Sequence, residues 1–180
     1  TSDNGGYWLV SGAGAGGNNI WRSTDGITWT VSTGNPFNGL GGGGFDFEYN
    51  DGFWVCGGDD ATGGDNIWWS DDQGVSWTAG TGSPFESGGQ ANVVTYGNGI
   101  WVAGGSKFGS TSGLWSSSDG KAWTICTGTI FGLSGLCQDV HYTSDGGGLW
   151  VACGSEFAGT NNIVHSLNGI AWTAGTGSPF

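Results

Sequence analysis

The chain has no methionine, three prolines and three basic residues (Arg22, Lys107 and Lys121) among 180. Proline scarcity rules out a proline-rich linker, and glycine, although abundant, shows no three-residue period of the collagen kind. Three bases against fifteen carboxylates leave a net charge of −12. A polyanionic partner needs a clustered basic patch to release counterions, so neither nucleic acid nor an anionic membrane surface is expected. The acidity is read as serving solubility. No stretch approaches the ~20 apolar residues of a membrane span, so membrane insertion is not expected. The N-terminal TSDNGG has no basic leader, no apolar run and no initiator Met, so a processed product or an excerpt of a longer protein is expected. The cysteines (Cys56, Cys126, Cys137 and Cys153) form no CxxC pair, and only His141 and His165 could assist them, which argues against zinc.

What is present in excess is glycine, 41 residues, together with twelve Trp and nine Phe. Disordered chains are poor in aromatics, so a packed, glycine-punctuated, all-β protein is indicated. One ten-residue pattern occurs four times: IWRSTDGITW from residue 20, IWWSDDQGVSW from 67, LWSSSDGKAW from 114 and IVHSLNGIAW from 163. Its closing tryptophans, Trp29, Trp77, Trp123 and Trp172, lie 48, 46 and 49 positions apart. A second series, Trp8, Trp54, Trp101 and Trp150, keeps spacings of 46, 47 and 49. A third series ends the runs FDFEY, NVVTY and QDVHY at Tyr49, Tyr96 and Tyr142. Tails such as WTVSTGNPF and WTAGTGSPF match as well.

Each unit therefore holds four short β-rich runs separated by glycine-rich turns, and no stretch carries apolar residues at helical spacing. Four strands in ~47 residues is the content of one β-propeller blade. The expectation is a propeller of four-stranded antiparallel blades, with repeats at about 1–40, 41–87, 88–135 and 136–180 forming one domain. It is either four-bladed or a segment of a larger propeller. Labelling the runs A to D, the chain reads BCD-ABCD-ABCD-ABCD, one innermost strand short. An excerpt of a longer propeller is the first explanation. An open four-blade ring is the second, and a strand donated by a neighbouring chain the third.

The Ser/Thr-x-Asp-(x)-Gly-x-x-Trp pattern resembles the Asp-box, or bacterial neuraminidase repeat, of sialidases, sortilin-type receptors, photosystem assembly factors and many secreted or viral propellers. Ser70, Asp72, Gly74 and Trp77 carry its full spacing. Ser23, Asp25, Gly26 and Trp29, and likewise Ser117, Asp119, Gly120 and Trp123, lack one residue before the glycine. Ser166, Asn168, Gly169 and Trp172 also replace Asp by Asn. Asp or Asn before Gly is a hairpin-turn signal, and the side chain can accept turn N–H groups with a Ser hydroxyl steadying it. Asn would disable acid–base chemistry but not such a turn, so the box is expected to be a structural staple.

Eleven of the twelve tryptophans fall at repeat-equivalent positions and are assigned to the core; Trp69 is the exception. Its equivalents are Arg22, Ser116 and His165, and a varied position in a uniform repeat is where a ligand site could sit. Arg22, Trp69 and His165 are therefore candidate ligand-binding residues. The resemblance implies that a sialidase would need three arginines, and this chain has one; that activity is excluded. Asp59, Asp60 and Asp65 cluster in GGDDATGGDN, which is read as a solvated acidic loop, with calcium the next reading because hard cations take several oxygens. No cofactor is otherwise expected.

Cys126 and Cys137, 11 positions apart around TGTIFGLSGL, are expected to form a disulfide. The functional expectation is a non-catalytic extracellular or virion-surface structural or adhesion protein, with glycans or other subunits of an assembly as partners. The alternatives are a carbohydrate-binding module or an inactive fragment of a glycoside hydrolase-like propeller.

Overall fold

The computed structural model describes residues 6–13, 17–38, 41–60, 64–82, 84–85, 88–106, 113–128, 131, 135–155 and 162–177. Within them the strands form consecutive antiparallel meanders, the arrangement of propeller blades. The first has three strands, β1 (Trp8–Ser11), β2 (Ile20–Ser23) and β3 (Thr30–Val31). The second runs β4 (Gly43–Asn50), β5 (Phe53–Asp59), β6 (Ile67–Ser70) and β7 (Thr78–Ala79). The third runs β8 (Gln90–Gly97), β9 (Ile100–Ser106), β10 (Leu114–Ser117) and β11 (Thr124–Ile125), followed by the short β12 (Thr127–Gly128). The last runs β13 (Leu136–Thr143), β14 (Leu149–Ser155), β15 (Ile163–Ser166) and β16 (Ala171–Ala174). Apart from one 3-10 turn at Asp145–Gly147, the described residues contain no helix.

The strands are short and two-faced because each blade is covered by its neighbours. In β5, five consecutive residues from Trp54 to Gly58 are buried, as are Trp101 to Gly105 in β9. A continuous buried run of this kind requires cover on both sheet faces. Side-chain alternation then divides the blade. Trp54 and Cys56 pack back toward the first blade, while Val55 packs forward toward the third. The same split recurs at Trp101 and Ala103 against Val102. Three apolar clusters result, one at each joint between consecutive blades. The inner strand of each complete blade carries a bulge at an equivalent place, after Gly44, Ala91 and Cys137.

The tyrosine and tryptophan series meet within each blade. Tyr49–Trp54, Tyr96–Trp101 and Tyr142–Trp150 have ring centroids 4.9, 4.8 and 4.9 Å apart. Tilted aromatic pairs at that separation contribute about 0.5–1.5 kcal/mol beyond their burial. Each pair fixes the turn between the first two strands of its blade.

Candidate functional site

Each repeated box makes the hairpin turn between the last two strands of its blade. In the third blade, Ser117 Oγ donates to Asp119 Oδ1 at 2.9 Å and accepts the Gly120 amide at 2.9 Å. Asp119 Oδ1 also accepts the amides of Lys121 and Ala122, at 2.8 and 2.9 Å. Asp25 does the same for Ile27 and Thr28, at 2.8 and 2.7 Å. Asn168 Oδ1 accepts Ile170 and Ala171, both at 2.9 Å, with Ser166 Oγ donating to it at 3.0 Å. The longer second box shifts the acceptor, so Asp72 takes the Ser76 amide at 2.9 Å instead. The box glycines have φ near +70° (Gly26 72°, Gly74 77°, Gly120 72°, Gly169 71°), a region that disfavours side chains.

These bonds act on the carboxyls as charge-stabilising donors do. The backbone amides of Thr28 and Ile27 pull Asp25 down to about 2. For Asp72 and Asp119, burial pushes upward but the combined hydrogen bonds outweigh it and hold both below the usual carboxylate range. In every box the side chain is an acceptor only. That is why a neutral Asn serves in the fourth.

The boxes are also where the blades join. Thr33 N donates to Val75 O at 2.9 Å and Thr33 O accepts the Trp77 amide at 3.0 Å, so the tail of the first blade pairs in parallel with the second box. Thr81 repeats this with Lys121 O and the Trp123 amide, at 2.8 and 2.9 Å. Thr127 donates to Ile170 O at 2.9 Å, and β12 pairs in parallel with β16. The glycine after each threonine lies against the next box. A Cβ at Gly34, Gly82 or Gly128 would stand 2.0, 2.1 or 2.1 Å from the carbonyl oxygen of Trp77, Trp123 or Trp172. Trp77, Trp123 and Trp172 are correspondingly buried, whereas Trp29 is half-buried.

The varied third-strand position lies at the same joint. Arg22 Nε donates to Gln73 O of the second box at 2.8 Å, and its guanidinium stands 4.4 Å over the Tyr7 ring. Trp69 stacks on Phe53 at 5.7 Å and 16° and is capped by Lys121 of the third box, 4.0 Å above its ring. Ser116 is too small to bridge, and a cleft of about 410 Å³ remains there, lined by Ile100, Ser116, Ser118, Ala122, Thr124 and Ile170 among others. His165 lines a shallow cleft of about 200 Å³ on the last blade. Arg22, Trp69 and His165 are thus held apart in three different blades and do not converge.

The acidic loop does not converge either. Asp60 is buried, with its amide donating to Asn66 Oδ1 at 2.8 Å, while Asp59 and Asp65 are partly exposed. Among the described residues no three His, Cys, Asp or Glu side chains are placed to hold a metal ion, and Asp59, Asp60 and Asp65 are included in that statement. The carboxylates that do come together are ones the sequence reading passed over. Asp46 Oδ2 accepts the Val94 amide at 2.9 Å and Glu48 Oε1 the Tyr96 amide at 3.2 Å, stitching one inner strand to the next. Burial raises both carboxyls, and Asp139 and His141 of the last inner strand lie close enough to be felt by them. The alternation in FDFEY was the available signal. Asn19 and Asn66 were also missed; each is buried and donates across to the chain linking blades, Asn19 to Gly42 O at 2.8 Å and Asn66 to Gly89 O at 2.9 Å.

The expected Cys126–Cys137 disulfide is not formed: all four cysteines are free thiols. Cys126 occupies the repeat position of Ser32, whose hydroxyl donates to Gly74 O of the next box at 2.6 Å. The Cys126 thiol makes the equivalent reach to Gly169 O, at 3.4 Å. Cys137 instead faces the carbonyls of Asp139 and Cys153, at 3.5 and 3.7 Å. Burial pushes Cys126 up to about 11 and Cys137 well above the ordinary thiol value, so neither is a ready thiolate.

No protein-family model and no curated protein matches the chain. Solved structures do. A GH74 xyloglucanase from Xanthomonas campestris superposes with a TM-score of 0.62 at 17% identity, covering 94% of this chain and 28% of that one. An ancestral GH74 enzyme gives 0.63 at 15%, covering 96% and 23%. YCF48 bound to D1 peptide gives 0.54 at 14%, covering 96% and 59%. The chain thus spans about a quarter of the GH74 enzymes and less than two thirds of YCF48. At these identities the likeness establishes the fold: the chain is an all-β propeller protein.

Proposed function

We infer that the chain is a non-catalytic module of Asp-box propeller blades with a structural or adhesive role at a cell or virion surface. The observation that carries this reading is the use made of the chemically distinctive residues. Arg22, Trp69 and Lys121 are spent on contacts between blades, and Asp46 and Glu48 on backbone amides of a neighbouring strand. A glycosidase needs two free carboxyls roughly 5–9 Å apart across a substrate, whereas these carboxyls accept from the fold itself. Placement outside the cell rests on the Asp-box resemblance alone, and the free thiols lend it no support.

A carbohydrate-binding role is the second reading, favoured by Trp8 and Trp21, which stand 47% and 43% exposed on one face. A glycan array followed by isothermal titration, with xyloglucan hydrolysis assayed in parallel, separates the readings. The structural reading expects all three blank. A saturable glycan hit abolished by Trp21→Ala would establish the second reading, and sugar release from xyloglucan would overturn the non-catalytic assignment.

A further inference from the structure

The varied third-strand position fills the joint beside it in two of the three cases, and in the third it does not. In the second joint Phe53, Trp69 and Lys121 form a stack of three layers. The two rings are 5.7 Å apart at 16°, and the Lys121 ammonium stands 4.0 Å over the indole. In the first joint Arg22 takes the middle place, 4.4 Å over Tyr7, with its Nε donating to Gln73 O at 2.8 Å. A cleft of about 240 Å³ is left beside it, lined by Arg22, Thr30 and Val75 among others.

The third joint has the outer layers but a serine in the middle. By repeat position Ile100 stands for Phe53, Ile170 for Lys121 and Ser116 for Trp69. The cleft there is about 410 Å³. The joint itself is made, since Thr127 donates to Ile170 O at 2.9 Å and β12 pairs with β16. Both walls of the cleft therefore come from blades that the chain supplies.

The lining selects the chemistry of an occupant. Ile100 and Ile170 provide aliphatic surface, Ser118 and Thr124 add exposed hydroxyls, and none of the lining side chains is charged. A charged ligand would give up water with no opposite charge to receive it. An anion would also meet the net charge of −12. A flat apolar ring instead releases water from both of its faces, and an indole N–H has hydroxyl acceptors within the lining. Trp69 shows that an indole fits this place in a blade while the adjoining box keeps its Ser70–Asp72 and Gly74–Ser70 bonds.

We propose that the slot beside Ser116 binds a neutral, planar aromatic group of indole size, held between Ile100 and Ile170 as Trp69 is held between Phe53 and Lys121. The ligand supplies the layer that the sequence omits.

The test is an NMR titration of the full chain, labelled at isoleucine methyls, with indole as the probe. Saturable binding is expected with Kd of roughly 0.1–1 mM, the range open to so small a ligand, with shifts at the Ile100 and Ile170 methyls. Ser116→Trp provides the ring from within and should abolish binding. Ile170→Lys places over the slot the cation that caps Trp69, and should tighten indole about two- to fivefold. Ile170 is 42% exposed, so this variant carries the test if Ser116→Trp does not fold. N-acetyltryptophanamide binding as well as indole identifies the ring as a partner's side chain, and indole binding alone identifies a free heteroaromatic compound. No saturation below about 10 mM overturns the proposal. So does binding that a folded Ser116→Trp leaves intact, an affinity that Ile170→Lys leaves unchanged, or shifts confined to other methyls. Saturable binding of methyl glucoside in place of indole would overturn the aromatic assignment. The glycan array and the xyloglucan assay are read separately, so the functional reading and this one fail independently.

Discussion

Replacing Asp119 by Ala and by Asn separates two accounts of the repeated box. If the carboxylate works as a geometric acceptor, Ala removes the partner of two turn amides and of the Ser117 hydroxyl, bonds of 2.8, 2.9 and 2.9 Å. Asp119 lies at the surface, so the freed amides recover water, and the loss falls in the range of a missing helix or turn cap, about 1 kcal/mol. For a domain of this size that lowers Tm by roughly 2–4 °C. Asn should behave otherwise, because Asn168 already holds the same three partners at 3.0, 2.9 and 2.9 Å in the fourth box. Exchanging charge-assisted bonds for neutral ones there should cost only a few tenths of a kcal/mol. Guanidinium unfolding at neutral pH, read for midpoint at constant slope, measures both. Asn as destabilising as Ala would refute the acceptor account and make the charge itself the working property. An Ala variant as stable as wild type would refute the staple altogether.

Trp123→Ala empties a buried indole site between the second and third blades and should cost roughly 3–5 kcal/mol, measured by the same unfolding curves. Lys121→Ala uncovers Trp69 and should cost about 0.5–1 kcal/mol while shifting tryptophan emission, with Lys121→Arg restoring both. Alkylation without reductant should label all four cysteines once the chain is unfolded and Cys153 first in the native state, whereas a missing label would reveal a disulfide. Stability should peak at weakly acid pH. Asp46 and Glu48 are raised, so the folded chain holds their protons more tightly and gains stability as pH falls from neutral toward the ordinary 4.5 of Glu48. Asp25, Asp72 and Asp119 are lowered; their contribution is present above the ordinary 3.8 and is lost as pH falls below it, for Asp25 toward about 2. A melting temperature that only declines from neutral pH downward would contradict this.

Strand order was legible because each blade is a local object. Runs such as FWVCGG carry both the β propensity and the two-sided burial in consecutive residues, and Asp-Gly or Asn-Gly announces the hairpin. The expected order of three strands followed by three sets of four is the order among the described strands, with Thr127–Gly128 added as a joint strand. The joints themselves were not legible. Thr33 meets Trp77 and Thr81 meets Trp123 across more than forty residues, and the tail threonines and glycines looked like the end of a repeat rather than the start of a contact. Cys126 misled for the same reason. Its spacing to Cys137 suggested a closed loop, whereas its place in the repeat, level with Ser32, pointed across to the next box. Arg22 and Trp69 differ at one repeat position because each meets a different neighbour, Gln73 in one joint and Lys121 in the other.

The central claim is that the boxes are joints between blades, and native-state hydrogen exchange tests it at single amides. Trp77 N and Trp123 N sit in hairpin turns, yet each donates to a threonine carbonyl of the preceding blade at 3.0 and 2.9 Å. If the joints hold the array together, these two amides open only with global unfolding and exchange as slowly as the centres of β5 and β9. Exchange at the rate of exposed turns, with the strand centres still protected, would contradict the account.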